Sequence, residues 1–159
     1  VLVNNAGVMP LSPMSALKFD EWAQMVDVNI KGVLWGIGAV LPVMERQGEG
    51  QIINIGSIGA LQASPTAAVY CGTKFAVRAI SDALRQESSA IRVTCVNPGV
   101  VESDLASSIT HEATRKLMGD YRAIALKPAD IARAVRQLID APASVDTTEI
   151  TIRPTASVN

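Results

Sequence analysis

Apolar residues fall into short runs and longer periodic stretches that alternate along the chain. The short runs are rich in valine and isoleucine, as in VLV, QIINI and IRVTCV, and they predict strands. In the stretches between them apolar residues recur at helical spacing, which predicts helices. We predict strands at residues 1–3, 51–55, 91–96 and 149–153, and helices at residues 17–46, 67–88, 111–122 and 127–140.

The order of these elements predicts an α/β fold. The first three strands are apolar throughout rather than at every second position, which is typical of a parallel sheet covered by helices on both faces. We therefore predict a doubly wound parallel sheet in a single domain over residues 1–159. Ligands of such sheets bind beyond the carboxyl ends of the strands. Small or amide residues follow the first three strands there, in NNAG, GS and NPG.

Composition argues against several classes of function. The chain is 48% hydrophobic and 18% charged, and its net charge of −1 offers no basic face for nucleic acid. The longest uninterrupted apolar run, residues 33–44, is shorter than a membrane span, so we predict no membrane association. With one histidine and no C-x-x-C, we predict no metal site. We expect Cys71 and Cys95, both in apolar surroundings, to be reduced core thiols, which favours the cytoplasm.

A tyrosine and a lysine stand four residues apart in the apolar stretch SPTAAVYCGTKFAV. Tyr70 and Lys74 would lie on one face of a helix. A nearby ammonium favours the phenolate, and a tyrosine tuned in this way can act as an acid or a base. The same spacing is common where the tyrosine is merely buried and the lysine solvated, so the spacing alone does not decide between the two readings.

Two further polar residues favour the catalytic reading. Ser57 follows the strand at 51–55 and would face the same crevice as Tyr70, where its hydroxyl can bond a substrate oxygen. Asn29 lies inside the predicted helix 17–46, where asparagine is disfavoured because its amide competes with the backbone. It would hold a water or a backbone group. Each has an ordinary alternative, as a loop serine or cap and as a solvated polar position.

The motifs NNAG, VNIKG, QIINIGS, YCGTK and NPGVVESD, in this order, resemble those of the short-chain dehydrogenase/reductase family across essentially the whole chain. The resemblance implies a Rossmann-like fold and an oxidoreductase that transfers a hydride between NAD(P)(H) and a small alcohol or carbonyl substrate. The ending EITIRPTA is similar to a branch of NADP-dependent enzymes that act on small alcohols and 3-hydroxy acids. NADP is therefore the expected cofactor, with NAD as the alternative.

The resemblance also implies a role for individual residues. Tyr70 would be the acid/base, Ser57 would polarise the substrate oxygen, and Lys74 would hold the nicotinamide ribose and lower the Tyr70 pKa. Asn29 would anchor a water that relays protons from Lys74. The implied cofactor-binding residues are Asn5, Ala6, Gly7, Tyr70, Lys74, Pro98, Gly99, Val101 and Ser103, the last bonding the carboxamide. Residues 101–126 would form a mobile lid over the substrate.

One motif of the family, the glycine-rich phosphate-binding turn, is missing from the sequence. The nearest match, GIGAV at residues 36–40, lies inside a predicted helix and lacks the strand–turn–helix context. We therefore expect the chain to be the C-terminal part of a longer dehydrogenase domain. Two alternatives stay open: an incomplete or non-catalytic fragment, and an epimerase or dehydratase of the same family.

The two longest predicted helices carry more apolar surface than one sheet face would cover. By the resemblance we expect a homodimer or homotetramer that pairs through helices 17–46 and 67–88.

Overall fold

A four-stranded sheet forms the centre of the chain, in a computed structural model that describes residues 1–157. The strands are Leu2–Asn4 (β1), Gly50–Ile55 (β2), Ile91–Pro98 (β3) and Glu149–Ile152 (β4). They lie in the order β1-β2-β3-β4 and every neighbouring pair is parallel. The predicted strands are thus confirmed to within two residues at either end.

In residues 1–157, five α-helices connect and cover the strands. They are Phe19–Val26 (α1), Gly32–Gln47 (α2), Ala68–Glu87 (α3), Glu112–Tyr121 (α4) and Pro128–Asp140 (α5). A π-helical turn, Asp27–Lys31, joins α1 to α2 in one continuous helix, which confirms the long helix predicted here. It ends at Gly48, whose φ of 70° is the left-handed conformation that glycine adopts without strain.

Helices pack on both faces of the sheet, as the apolar strands predict. On one face α2 and α3 contribute Val33 and Val77 to a core that contains Ile52 of β2. On the other face Leu138 of α5 packs with Ile53, the next residue of the same strand. Because successive strand residues point to opposite faces, the sheet is doubly wound. The predicted fold class is confirmed.

Strand β1 differs from the buried strand that the sequence predicts. It pairs only with β2 and lies at the edge of the sheet described here. Val1 and Val3 are exposed, in contrast to β2 and β3, whose residues are nearly all buried. The difference reflects the position of the strand, since an edge strand has sheet on one side only.

The continuous helix Phe19–Gln47 extends well beyond the uninterrupted apolar run at residues 33–44, and its most apolar part is longer than that run. Over its most apolar 18 residues the mean hydropathy is 1.4, so by length and composition it meets the requirements for crossing a membrane. A core helix of a soluble protein meets the same requirements. The apolar run at residues 33–44 thus lies within a helix of 29 residues, and the expectation of no membrane association stays a prediction.

The two ends of the segment predicted as a lid, residues 101–126, are joined to each other by hydrogen bonds. Val101 and Leu126 form an isolated parallel bridge, with a hydrogen bond from the Glu102 N–H to the Leu126 carbonyl (2.9 Å). Between these ends lies α4, and Ile109 packs in a buried apolar cluster that also contains Tyr70. The segment thus reaches over α3 from the carboxyl end of β3.

Candidate active site

Asn29 lies in the π-helical turn and is almost fully buried. Its Oδ1 accepts a hydrogen bond from the Val8 N–H (2.9 Å), and its Nδ2 donates to the Val8 carbonyl (3.0 Å) and to Thr73 Oγ1 (3.1 Å). Its amide therefore holds a backbone group, one of the two uses expected for an asparagine in this helix. The residue connects the π-helical turn, the loop after β1 and α3 at one point.

Ser57 directly follows the carboxyl end of β2. Its backbone is extended, and its Oγ accepts a hydrogen bond from the Gly59 N–H (3.0 Å), which caps a 3-10 turn at Ile58–Ala60. The Ser57 N–H donates to Oδ1 of Asn97 (3.3 Å). A Cβ built on Gly59 would lie 3.4 Å from Ser57 Oγ and 3.5 Å from Cε1 of Tyr70. The serine hydroxyl and the phenol ring therefore border the same small space.

Tyr70 and Lys74 occupy the first two turns of α3, and both are buried. The Lys74 Nζ lies 5.8 Å from the centre of the Tyr70 ring and donates a hydrogen bond to the Ile55 carbonyl (2.9 Å). The spacing of four residues places both side chains on the helix face that looks toward the end of β2. Tyr70 and Lys74 thus lie on one helix face, as the spacing predicts.

Burial sets the pKa values of this pair. It raises the pKa of the Tyr70 phenol above 10.0, and the hydrogen bond with Ser57 offsets only part of that effect. Burial also lowers the pKa of Lys74, from 10.5 to about 8, against an opposing effect of Cys95. Desolvation is the largest cause of the upward shift of the Tyr70 pKa, and the expectation that Lys74 lowers this pKa stays a prediction.

Gly7 lies next to the side chains of both Asn29 and Lys74. A Cβ at this position would lie 3.4 Å from Asn29 Oδ1 and 3.7 Å from Lys74 Nζ. Asn5 and Ala6, the two residues before it, are exposed after the end of β1. The NNAG turn thus lies beside the lysine, on the same edge of the sheet as Ser57.

The remaining predicted cofactor-binding residues follow β3. Pro98 is the last residue of the strand, and the Gly99 N–H donates to the Ile152 carbonyl (2.7 Å). Val101 forms the bridge to Leu126. Ser103 is exposed, and its Oγ accepts from the Leu105 N–H (3.4 Å) at the start of a 3-10 turn. These residues lie at the correct edge of the sheet.

Two polar residues of the site escaped the sequence reasoning. Thr73 accepts from Asn29 and donates to the Tyr70 carbonyl (2.7 Å), and Asn97 accepts from Ser57. Thr73 lies in the motif YCGTK, and Asn97 lies in the motif NPG, so each stands beside a residue that was predicted to act in the site. The available signal was a polar residue at an otherwise apolar, buried position.

A cavity and two cysteines lie in the surroundings of the site. A cavity of about 380 Å³, lined in part by Arg78, Cys95 and Glu149, lies beside the site, and Ser57, Tyr70 and Lys74 do not line it. Within residues 1–157, no group of three or more His, Cys, Asp or Glu side chains is arranged to hold a metal ion. Cys71 and Cys95 are unpaired and buried, as expected.

Comparison with known proteins gives a consistent result. A model of the short chain dehydrogenase family matches residues 1–114. The chain is 48% identical over 160 residues to an uncharacterized oxidoreductase of Staphylococcus saprophyticus, with 98% of this chain and 65% of the relative covered. An uncharacterized oxidoreductase of Listeria monocytogenes is 45% identical, with 63% of its length covered. The chain therefore spans somewhat less than two thirds of these relatives.

Solved structures agree with the sequence relatives. The closed form of serine dehydrogenase complexed with NADP⁺ has a TM-score of 0.87 and 32% identity, and covers 99% of this chain and 67% of that one. An alcohol dehydrogenase from the archaeon Thermococcus sibiricus, complexed with 5-hydroxy-NADP, has a TM-score of 0.83 and 28% identity, covering 98% and 63%. With this match in sequence and fold, the chain belongs to the short-chain dehydrogenase family.

Proposed function

We propose that the protein containing this chain is an NAD(P)-dependent oxidoreductase that interconverts a small alcohol and its carbonyl. The observation that carries the proposal is the meeting of a hydroxyl, a phenol and an ammonium, from Ser57, Tyr70 and Lys74, at the carboxyl ends of parallel strands. Each is buried, so each can act on a substrate with little competition from water.

Lys74 fits the ribose of a nicotinamide cofactor. An ammonium has three N–H donors, and within residues 1–157 the one hydrogen bond of Nζ goes to the Ile55 carbonyl. Two donors therefore remain for the adjacent hydroxyls of a ribose, beside a glycine, Gly7, whose lack of a side chain leaves room. NADP is the first choice, because the serine dehydrogenase and alcohol dehydrogenase above were solved with NADP⁺ and 5-hydroxy-NADP. NAD is the alternative.

Bound there, the nicotinamide would supply the hydride: carbonyl, NAD(P)H and a proton give alcohol and NAD(P)⁺. The raised pKa of Tyr70 keeps its phenol protonated at neutral pH, so in this direction Tyr70 donates the proton to the carbonyl oxygen. The Ser57 hydroxyl would bond the same oxygen and stabilise its developing charge. In the reverse direction Tyr70 takes the proton from the alcohol. Asn29 would anchor a water that renews the proton through Lys74.

The surroundings of Tyr70 support a small substrate. Met9, Leu11 and Ile109 form an apolar cluster with the tyrosine, and all are buried. On the side of the strand ends, Gly59 lies between the phenol ring and the Ser57 hydroxyl. We propose that residues 101–126 cover the substrate there, since Ile109 already reaches the tyrosine from that segment.

We also propose a cytoplasmic homodimer or homotetramer. Large apolar side chains are exposed on the two long helices, and Trp35 of α2 is 70% exposed. Others on the same two helices are Leu34, Val43 and Phe75. Exposed apolar side chains on these two helices favour an interaction surface there.

The full-length gene product, assayed with NADPH and NADH against a panel of small aldehydes and ketones, tests the proposal. We expect oxidation of NADPH with at least one carbonyl, and loss of that activity in Tyr70→Phe. Cofactor binding, followed separately by NADPH fluorescence, should survive in the variant. A folded product that binds neither cofactor, or turnover that Tyr70→Phe leaves unchanged, would overturn it.

A further inference from the structure

The side chain of Asn97 is fully buried at the carboxyl end of β3, and each half of its carboxamide has a partner. Its Oδ1 accepts from the Ser57 N–H (3.3 Å) and from the Cys95 thiol (3.4 Å). Its Nδ2 donates to Oε1 of Glu149 in β4 (2.8 Å). The amide therefore links the strand end that carries Ser57 to the strand beyond.

The chemistry of Glu149 fixes which way this amide points. An ionised carboxylate only accepts hydrogen bonds, so the NH₂ of Asn97 must face Glu149 and its oxygen must face Ser57. Arg78 of α3 holds the carboxylate in turn, with Nε 2.9 Å from Glu149 Oε2. Four consecutive groups, Arg78, Glu149, Asn97 and Ser57, thus form one chain of hydrogen bonds from the surface to the site.

Gly56 makes the contact with Ser57 possible. A Cβ at position 56 would lie 2.3 Å from Oδ1 of Asn97 and 2.9 Å from Sγ of Cys95, both closer than atoms can approach. Any larger residue would therefore push the amide away from the Ser57 N–H. The amide of Asn97 occupies the space that a side chain at position 56 would need.

We propose that Asn97 is a positioning residue: its carboxamide, oriented by Glu149, fixes the backbone of Ser57 and so places the Ser57 hydroxyl against Tyr70. The inference rests on the proposed function, in which Ser57 and Tyr70 act on one substrate oxygen. A misplacement of about 1 Å at such a group is enough to slow a reaction on the order of 100-fold.

The test compares Asn97→Ala with Asn54→Ala in the full-length gene product. Asn54 is an equally buried amide on β2 that bonds Asn4 and Ser81 instead of Ser57. We expect both variants to melt at a lower temperature. Only Asn97→Ala should lower kcat, on the order of 10- to 100-fold, with KM for the cofactor unchanged. Only Asn97→Ala should shift the rise of alcohol oxidation with pH to higher pH, the shift that we also expect of Ser57→Ala.

A double variant separates positioning from general destabilisation. Added to Ser57→Ala, Asn97→Ala should change kcat less than twofold, because the hydroxyl that it positions is already gone. An equal loss of kcat in both backgrounds would overturn the proposal, and so would parental kcat and pH dependence in Asn97→Ala alone.

Hydrogen exchange of the Ser57 amide, followed by NMR, gives a readout that needs no turnover. We expect exchange at least about tenfold faster in Asn97→Ala than in the parent or in Asn54→Ala. If Asn97→Ala does not fold, Glu149→Leu, at a half-buried position, should produce the same acceleration through loss of the amide's orientation. Unchanged exchange overturns this inference, whereas an inactive parental protein with accelerated exchange in the variant overturns the proposed function alone.

Discussion

The ammonium nitrogen of Lys74 lies 5.8 Å from the centre of the Tyr70 ring, and both side chains are buried on one face of α3. Burial disfavours the charged form of each. It raises the pKa of the phenol and lowers that of the ammonium to about 8. Near neutral pH the site therefore contains a protonated phenol, ready to donate, beside an ammonium close to its own titration.

Replacing Tyr70 by phenylalanine removes the hydroxyl that, in the proposed function, transfers the proton to the substrate. We expect kcat of the full-length gene product to fall about 10²- to 10⁴-fold, the range typical of a lost general acid. The fold should be retained, since the ring stays in its apolar cluster. Steady-state kinetics and circular dichroism measure the two effects. A folded variant with near-parental turnover would mean that another group supplies the proton.

The two directions of the reaction should differ in their pH dependence. Because the Tyr70 pKa is raised, the phenol stays protonated across pH 6–9 and reduction should show no loss of rate from Tyr70 there. Alcohol oxidation needs the phenolate, so its rate should keep rising with pH up to the limit of stability. Ser57→Ala should move that rise to still higher pH, because the Ser57 hydrogen bond lowers the Tyr70 pKa. A plateau of oxidation below pH 8 would contradict this.

Lys74 makes stability depend on pH in a predictable sense. Its pKa is about 8 in the folded chain and 10.5 ordinarily. Between these values the unfolded chain keeps a proton that the folded chain has released, so the parent gains stability relative to Lys74→Met as pH rises. The gain should total about 3 kcal/mol, complete near pH 10.5 and absent below pH 8. Urea denaturation of both proteins at several pH values measures it, and a constant difference would show that Lys74 is not desolvated.

Much of this fold could be predicted from the lengths of the apolar runs in the sequence. Short β-branched runs became strands with boundaries displaced by no more than two residues, and the long helix before β2 is where the spacing predicts it. The proximity of Ser57 to Tyr70 was predictable because the ends of parallel strands share one edge of the sheet. Local pattern and one topological rule were sufficient for both.

The rest depends on contacts between residues distant in sequence. The π-helical turn accompanies the bonds between Asn29 and Val8, which lie 21 residues apart. The pairing of Asn97 with Glu149 follows from the register of β3 against β4, which no local pattern contains. The upward shift of the Tyr70 pKa was not predicted, because the spacing reveals the ammonium and not the depth of burial.

Two glycines of α2 should respond oppositely to alanine. A Cβ at Gly36 would lie 2.3 Å from Oδ1 of Asn4, whose amide bonds Asn54, so Gly36→Ala should destabilise by about 1–3 kcal/mol. Gly38 is exposed with nothing within 4 Å of a Cβ, so Gly38→Ala should stabilise by about 0.5–1 kcal/mol. Chemical denaturation of both variants checks the pair. Equal effects would mean that the helix does not approach β1 closely.

The exposed tryptophan of α2 should be needed for self-association. We expect the full-length gene product to be a dimer or tetramer at micromolar concentration, and Trp35→Glu to release monomers, since a buried charge without a partner is costly. Leu117→Glu on α4, at a similarly exposed apolar residue, is the matched control and should leave the oligomer intact. Light scattering distinguishes the states. A monomeric parent would refute the proposed assembly.

The π-helical turn Asp27–Lys31 also sets the phase of the helix that it interrupts. Buried positions recur there at every fourth residue, namely Met25, Asn29, Val33 and Ile37. In a uniform α-helix such positions drift around the axis by about 40° per step, and the wider turn takes back part of that drift. Deleting one residue within the turn would rotate α2 by about 100° relative to α1. Such a rotation would break the hydrogen bonds between Asn29 and Val8 and would also move Trp35 away from the face of α2 on which it is exposed. We therefore expect insertions and deletions in functional relatives to fall in loops and not in this helix.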